Sequence, residues 1–184
     1  LLQSNPSVDQ LIQNDLSIAI ATAIDLAAFY GTGANGQPVG IKSIANASLA
    51  DFATGGSPSF EDVVSLEALV NAANVDGSGN YVTNSVIRGR MKVEKIDAGS
   101  GLFVWGQDNR VNGLPAQETN QIDGDVFYGV FSNLIIGMWA GLDLIVDPFT
   151  GATKGATRVT ALQTVDMKHR HDEAFSVISE TTVT

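Results

Sequence analysis

The five residues His169, Arg170, His171, Asp172 and Glu173 hold both histidines of the chain. Two imidazoles two residues apart would share one face of a strand, with carboxylates beside them. That arrangement suits half a metal site, or a base with its orienting partner. A metal ion would need carboxylates to complete its shell, since no third histidine exists. A charged strand edge or a subunit contact accounts for the same residues without chemistry. We assign no catalytic, cofactor-binding or metal-binding residue here.

Gly31 to Gly36 reads G-T-G-A-N-G and matches the dinucleotide-binding pattern letter for letter. The mechanism of that pattern needs a strand before it and a helix after it, whose N-terminus faces the pyrophosphate. Here a helical pattern precedes and Gln37-Pro38-Val39 follows, so the segment reads as a glycine-rich connection from helix to sheet. Asp76 to Asn80 spaces oxygen-bearing side chains like the start of a calcium loop. It lacks the closing glutamate at the twelfth position and reads as a turn. Lys92, Glu94, Lys95 and Asp97 read as a solvated face of mixed sign. No serine sits in a hydrolase elbow.

The elements around these motifs are legible from apolar spacing. Val8, Leu11, Ile12, Leu16, Ala19, Ile20, Ala23, Ile24 and Ala27 recur at three and four residues, predicting one long helix that ends at Tyr30. Asn5-Pro6 suits its start, Ser7 with Gln10 forms a capping-box pattern one turn in, and Gly31 suits a left-handed stop. Its polar side is thin, which calls for a second contact on the far face, such as another subunit. Residues 31 to 59 read as irregular chain with short strands.

A second helix is predicted from Phe60 to about Asn74, capped by Ser59 and Asp62, with Val63, Leu66, Leu69, Val70 and Ala73 inward. A strand at 81–84 and a third helix from Ser85 to about Val93 follow. The segments 101–106, 111–119 and 125–131 read as short strands. Residues 131 to 155 form the most apolar stretch, but Asn133, Asp143, Asp147 and Pro148 oppose a membrane span. Leu134 to Trp139 and Leu142 to Val146 instead read as a hairpin turning at Ala140-Gly141, with Ile135, Ile136, Trp139, Leu144 and Val146 in a core. Helices followed by many strands favour an α+β fold.

Composition narrows the function classes. The chain has 184 residues, 44% hydrophobic and 16% charged, which is globular rather than disordered. A formal charge of −10, with no clustered Lys and Arg, argues against direct sequence-specific nucleic-acid binding. The absence of cysteine excludes disulfides and thiolate chemistry. The first residues, Leu1-Leu2, follow no initiator Met and open no signal-peptide pattern, so the chain reads as a portion of something longer.

Five segments, 15–41, 81–92, 111–115, 130–152 and 165–178, together resemble the C-terminal half of the major capsid protein of tailed double-stranded DNA bacteriophages, the Hong Kong 97 type. The match is by order as well as content. Most telling are the glycine-rich turn after the long helix, the apolar segment 131–155 and the closing Val165-Asp166 … Arg170 … Ala174-Phe175 run. The resemblance implies a peripheral domain of 1–41 and 157–184, with a spine helix and a returning strand, and an axial domain of 42–156. It implies that 131–155 is a hairpin of the axial sheet, covered by the two shorter helices. The family's N-terminal arm and extended β-hairpin precede the spine helix and have no counterpart here, so no cross-linking Lys or Asn is placed.

The function implied is that of a structural subunit of a phage or prophage icosahedral shell, in the virion and, during assembly, in the host cytoplasm. Its partners would be copies of itself in pentamers and hexamers, with scaffold, portal or maturation protease as further partners. No cofactor and no membrane are implied. The alternatives are an encapsulating shell of the same fold that packages protein cargo, and a hydrolase or metal enzyme built on His169 and His171.

Overall fold

The computed structural model describes residues 6–47, 51–53, 55–99, 101–147 and 149–181. Asn5 lies outside them. Among the described residues, four α-helices and eight strands run in the order α1 (Pro6–Tyr30), α2 (Ile41–Ile44), β1 (Asn46–Ala47), α3 (Phe60–Ala72), β2 (Asn80–Thr83), α4 (Ser85–Met91), β3 (Arg110–Val111), β4 (Leu114–Glu118), β5 (Asp125–Gly129), β6 (Leu134–Asp147), β7 (Arg158–His169) and β8 (Phe175–Ser179). The fold is α+β, as expected.

Six strands form one mixed sheet in the order β1-β8-β5-β2-β4-β3. Its centre is buried on both faces, because β5 and β8 alternate their side chains between two apolar layers. Val126, Tyr128 and Ile178 meet Val63, Leu66 and Val70 of α3 and Ile87 and Met91 of α4. Phe127, Phe175 and Val177 meet Ile41 and the end of α1, Phe29 and Tyr30, on the other face. Two polar side chains within these layers are paired: Tyr81 Oη donates to the Val63 carbonyl at 3.1 Å and Ser176 Oγ to that of Leu66 at 2.9 Å.

α3 begins on the expected capping box, with Ser59 Oγ accepting from Asp62 N at 3.2 Å and Asp62 Oδ2 from Ser59 N at 2.8 Å. Val63, Leu66 and Val70 are buried as predicted, whereas Leu69 is only half-buried and Ala73, beyond the helix end, is exposed. α4 is capped by Asn84, whose Oδ1 accepts from Ile87 N at 2.7 Å. Asn112 and Gly113, at φ 49° and 77°, close β3 and β4 into a two-residue hairpin. Residues 101–106 form no regular strand. Phe103 and Trp105 make single bridges to Lys95 and Val111, and Val104 and Trp105 enter the core from a loop.

Two further expectations are corrected. Gly31 does not stop α1 by a left-handed turn, since its φ is not positive; Gly33 and Gly36, at 70° and 79°, supply those turns. Gly31 is required by proximity: a Cβ there would lie 2.2 Å from the Pro38 carbonyl oxygen.

The larger correction concerns 131–155. Ala140-Gly141 is not a turn, and residues 134–147 are one strand paired antiparallel with β7, with an irregularity between Trp139 and Asp143. Three residues of β6, 140–142, stand there against Gln163 alone, so the strand absorbs extra residues as a bulge and continues. The chain reverses instead beyond Asp147. β6 and β7 form a separate two-stranded arm outside the six-stranded sheet, and α3 and α4 do not cover it. Ile135, Ile136, Trp139 and Val146 are therefore exposed, not core, and Leu144 is half-buried.

Candidate interaction surface

The arm joins the body at a root built from aromatic side chains. Phe131 packs edge-on against Phe175 at 5.7 Å and near Phe29 at 6.4 Å. His169, the last residue of β7, lies edge-on to Phe175 at 5.7 Å and is 6% exposed. Its Nε2 has no hydrogen-bond partner, and burial holds its pKa below the usual imidazole value, with Asp172 opposing that shift and Lys168 adding to it. His171 is past the strand end and exposed, beside a polar cleft of about 240 Å³ lined by Asn74, Asp76, Arg170 and Glu173. The two imidazoles thus occupy different environments rather than one strand face. Among the described residues, no three His, Cys, Asp or Glu side chains are grouped to hold a metal ion.

The end of α1 is fastened by charge. Tyr30 Oη donates to Asp125 Oδ2 at 2.6 Å, and Lys42 Nζ reaches both oxygens of the same carboxylate at 2.9 and 2.7 Å. Burial, reinforced by the bond to Asp125, raises the Tyr30 phenol well above its ordinary pKa. The glycine motif at 31–36 serves this joint. Gly40 N donates to the Gly31 carbonyl at 2.8 Å, so two backbone segments cross where side chains would not fit. The turn expected at Asp76 to Asn80 lies earlier, at 73–74; residues 76–79 are a loop bent at Gly77 that leads into β2, and a Cβ on Gly79 would overlap the Tyr128 ring.

Beyond these fastenings α1 and the arm project from the body with their apolar residues open. α1 runs against β7. Leu16, Ile20 and Ile24 on the helix are half-buried, as are Val159, Ala161 and Val165 on the strand. The opposite side of α1 leaves Leu11, Ile18 and Leu26 exposed. On the arm, Ile135, Trp139, Ile145 and Leu162 share the outer face by register, opposite Lys168, Thr164, Thr160 and Asp143. Trp139 is 59% exposed. Its indole folds back over Gly137, where a Cβ would sit 3.4 Å from the ring. A flat indole over an unobstructed backbone, ringed by polar and charged groups, is the composition of an interface centre.

By length and apolarity, Gln10–Tyr30 passes as a membrane span. Asp15 and Asp25 inside it would be expensive in lipid, and Phe29 and Tyr30 are already packed on the sheet. A protein partner fits this helix better. Sequence reasoning noticed its thin polar side but missed the arm, because a continuous apolar strand and a buried hairpin share one composition.

Comparison with known proteins agrees with this architecture. The capsid of a native GTA particle, computed with C5 symmetry, superposes with a TM-score of 0.72 at 22% identity, over 99% of this chain and 69% of that one. The corresponding values for Gordonia phage Cozz are 0.71, 17%, 99% and 66%. At such identities the likeness is one of fold, and the fold is that of the Hong Kong 97-type capsids. Over 180 residues, 95% of the chain, the sequence is 32% identical to the major capsid protein of Halomonas phage phiHAP-1, and it spans 29% of that protein's length. The phage capsid family matches residues 1–179, and the chain belongs to that family.

Proposed function

We propose that this chain is part of a structural subunit of a bacteriophage or prophage icosahedral capsid, which associates with copies of itself into pentamers and hexamers that enclose DNA. The observation that carries this reading is the division of apolar surface. The centre of the six-stranded sheet is buried on both faces, yet α1 and the β6–β7 arm leave Leu11, Ile18, Ile135, Trp139, Ile145 and Leu162 open. Exposed apolar patches of that kind mark association surfaces. The reading involves no catalysis and no cofactor. It sets the protein in the virion and, before that, in the host cytoplasm, where a scaffold, a portal or a maturation protease would meet it.

We also propose a division into a peripheral part and an axial part. The expected boundaries were 1–41 with 157–184, against 42–156. Strand pairing supports moving the line so that 134–156 joins β7 and α1 in the peripheral part, while β8 stays with the sheet. The test is to express the protein that carries this chain, together with any scaffold its genome encodes, and to image the product by electron microscopy. Uniform closed particles are expected. Only monomers or amorphous aggregate would overturn the reading.

A further inference from the structure

The exposed side of α1 and the tip of the arm are complementary in charge as well as apolar. α1 has no Lys or Arg, and its carboxylates besides Asp9 are Asp15 and Asp25. They interleave with Leu11, Ile18 and Leu26 along the open side, at helical spacing. The tip presents Phe149, which is 85% exposed, together with exposed Lys154 and Arg158. Its one anion, Asp147, is occupied. The carboxylate accepts from Phe149 N at 2.8 Å, from Thr150 N at 3.2 Å and from the Thr150 hydroxyl, which also hold it below its usual pKa. Beyond it, Lys154 N and Ala156 N both donate to the Gly151 carbonyl at 3.0 Å. The tip is thus internally bonded, with an exposed aromatic ring and two exposed cations in one short segment.

The geometry points to a contact between copies, in which the Phe149, Lys154 and Arg158 tip of one chain seats on the Leu11, Asp15, Ile18 and Asp25 side of α1 of a second copy. Within one chain the tip cannot reach that surface. α1 is held to the root by Tyr30 and runs against β7, so its open side faces away from its own arm. The contact joins unlike surfaces and is heterologous, the kind that builds rings and extended lattices. This inference rests on the capsid-subunit reading and names the surfaces through which copies would meet.

Because the chain has no cysteine, one engineered cysteine on each surface can trap the contact. Ile18→Cys and Phe149→Cys are prepared as separate proteins, each matched to the unsubstituted chain by circular dichroism, then mixed under a mild oxidant. The mixed disulfide dimer is expected to exceed either homodimer by at least about tenfold. Asp15→Lys with Asp25→Lys in the first partner should lower its yield about tenfold, and Lys154→Glu with Arg158→Glu in the second should restore most of the loss. Three results would overturn the proposal: no mixed disulfide, homodimers in equal yield, or a yield indifferent to both charge reversals. Recovery of the chain on neutral lipid vesicles without any mixed dimer would also overturn it, in favour of a membrane surface for α1. Closed particles that form without this contact would remove the proposal and leave the capsid reading standing.

Discussion

Tyr30 Oη lies 2.6 Å from Asp125 Oδ2, which joins the last residue of α1 to a carboxylate on β5 that is only 1% exposed. The same hydroxyl accepts from Asp123 N at 2.9 Å, so one phenol oxygen satisfies groups from two neighbouring residues of the sheet domain. Lys42 neutralises the carboxylate from the other side. This is how a helix that is otherwise largely exposed keeps a fixed direction relative to the body.

Tyr30→Phe keeps the ring contact with Phe127, 6.1 Å between centroids, and removes only the oxygen. It should destabilise the chain by about 1.5–3 kcal/mol, the range for losing a hydrogen bond to a charged group. Urea denaturation followed by circular dichroism reads this directly. An unchanged midpoint would mean that α1 is held by aromatic packing alone.

His169 gives the root of the arm a pH dependence whose sign can be worked out. Its pKa in the folded chain lies below the ordinary 6.5, so the unfolded chain binds the proton more tightly. Well above pH 6.5 both states are neutral at this residue and it contributes no pH dependence. As pH falls through that value, folding stability should drop, and it should stop dropping once pH is below the folded-state pKa. His169→Phe should remove that part of the acid sensitivity while leaving the part due to carboxylates. Parallel denaturation curves for the two proteins between about pH 7.5 and pH 5 check this, and identical pH profiles would contradict it.

Glycine substitutions separate the two glycine-marked segments. Gly31→Ala forces a methyl group onto backbone of residues 27 and 38 and should destabilise by about 3 kcal/mol. Gly141→Ala has nothing within reach of the new methyl and no positive φ, so it should change stability by less than about 0.5 kcal/mol. Differential scanning calorimetry on both variants suffices. A large effect at Gly141 would restore the turn that its sequence context suggested.

Legibility followed how local each determinant is. The ends of α3 were readable because Ser59 and Asp62 cap it within one turn, and α1 because its spacing persists over 25 residues. Asn112-Gly113 carried its own turn chemistry, yet 111–119 reads as one strand running through it, so this hairpin was missed. The arm was not readable, since Ala140-Gly141 has the composition of a turn while a bulge against Gln163 lets the strand run through it. Whether Trp139 lies inside or outside depends on which elements the topology leaves over to cover β6. The histidines misled for a similar reason: the strand ends at His169, so His171 never shares its face.

Under the capsid-subunit reading we propose, the outer face of the arm is an interface between subunits and not a core. Trp139→Ala should therefore cost the isolated chain less than about 1 kcal/mol, against about 3–5 kcal/mol for a buried tryptophan. The most direct measurement goes one step further. Trp139→Asp is placed in the protein that carries this chain, and closed particles are counted in electron micrographs beside the unsubstituted protein. The account predicts a chain that melts within a few degrees of normal and forms no closed particles. Closed particles in normal number, or a chain that no longer folds, would contradict it.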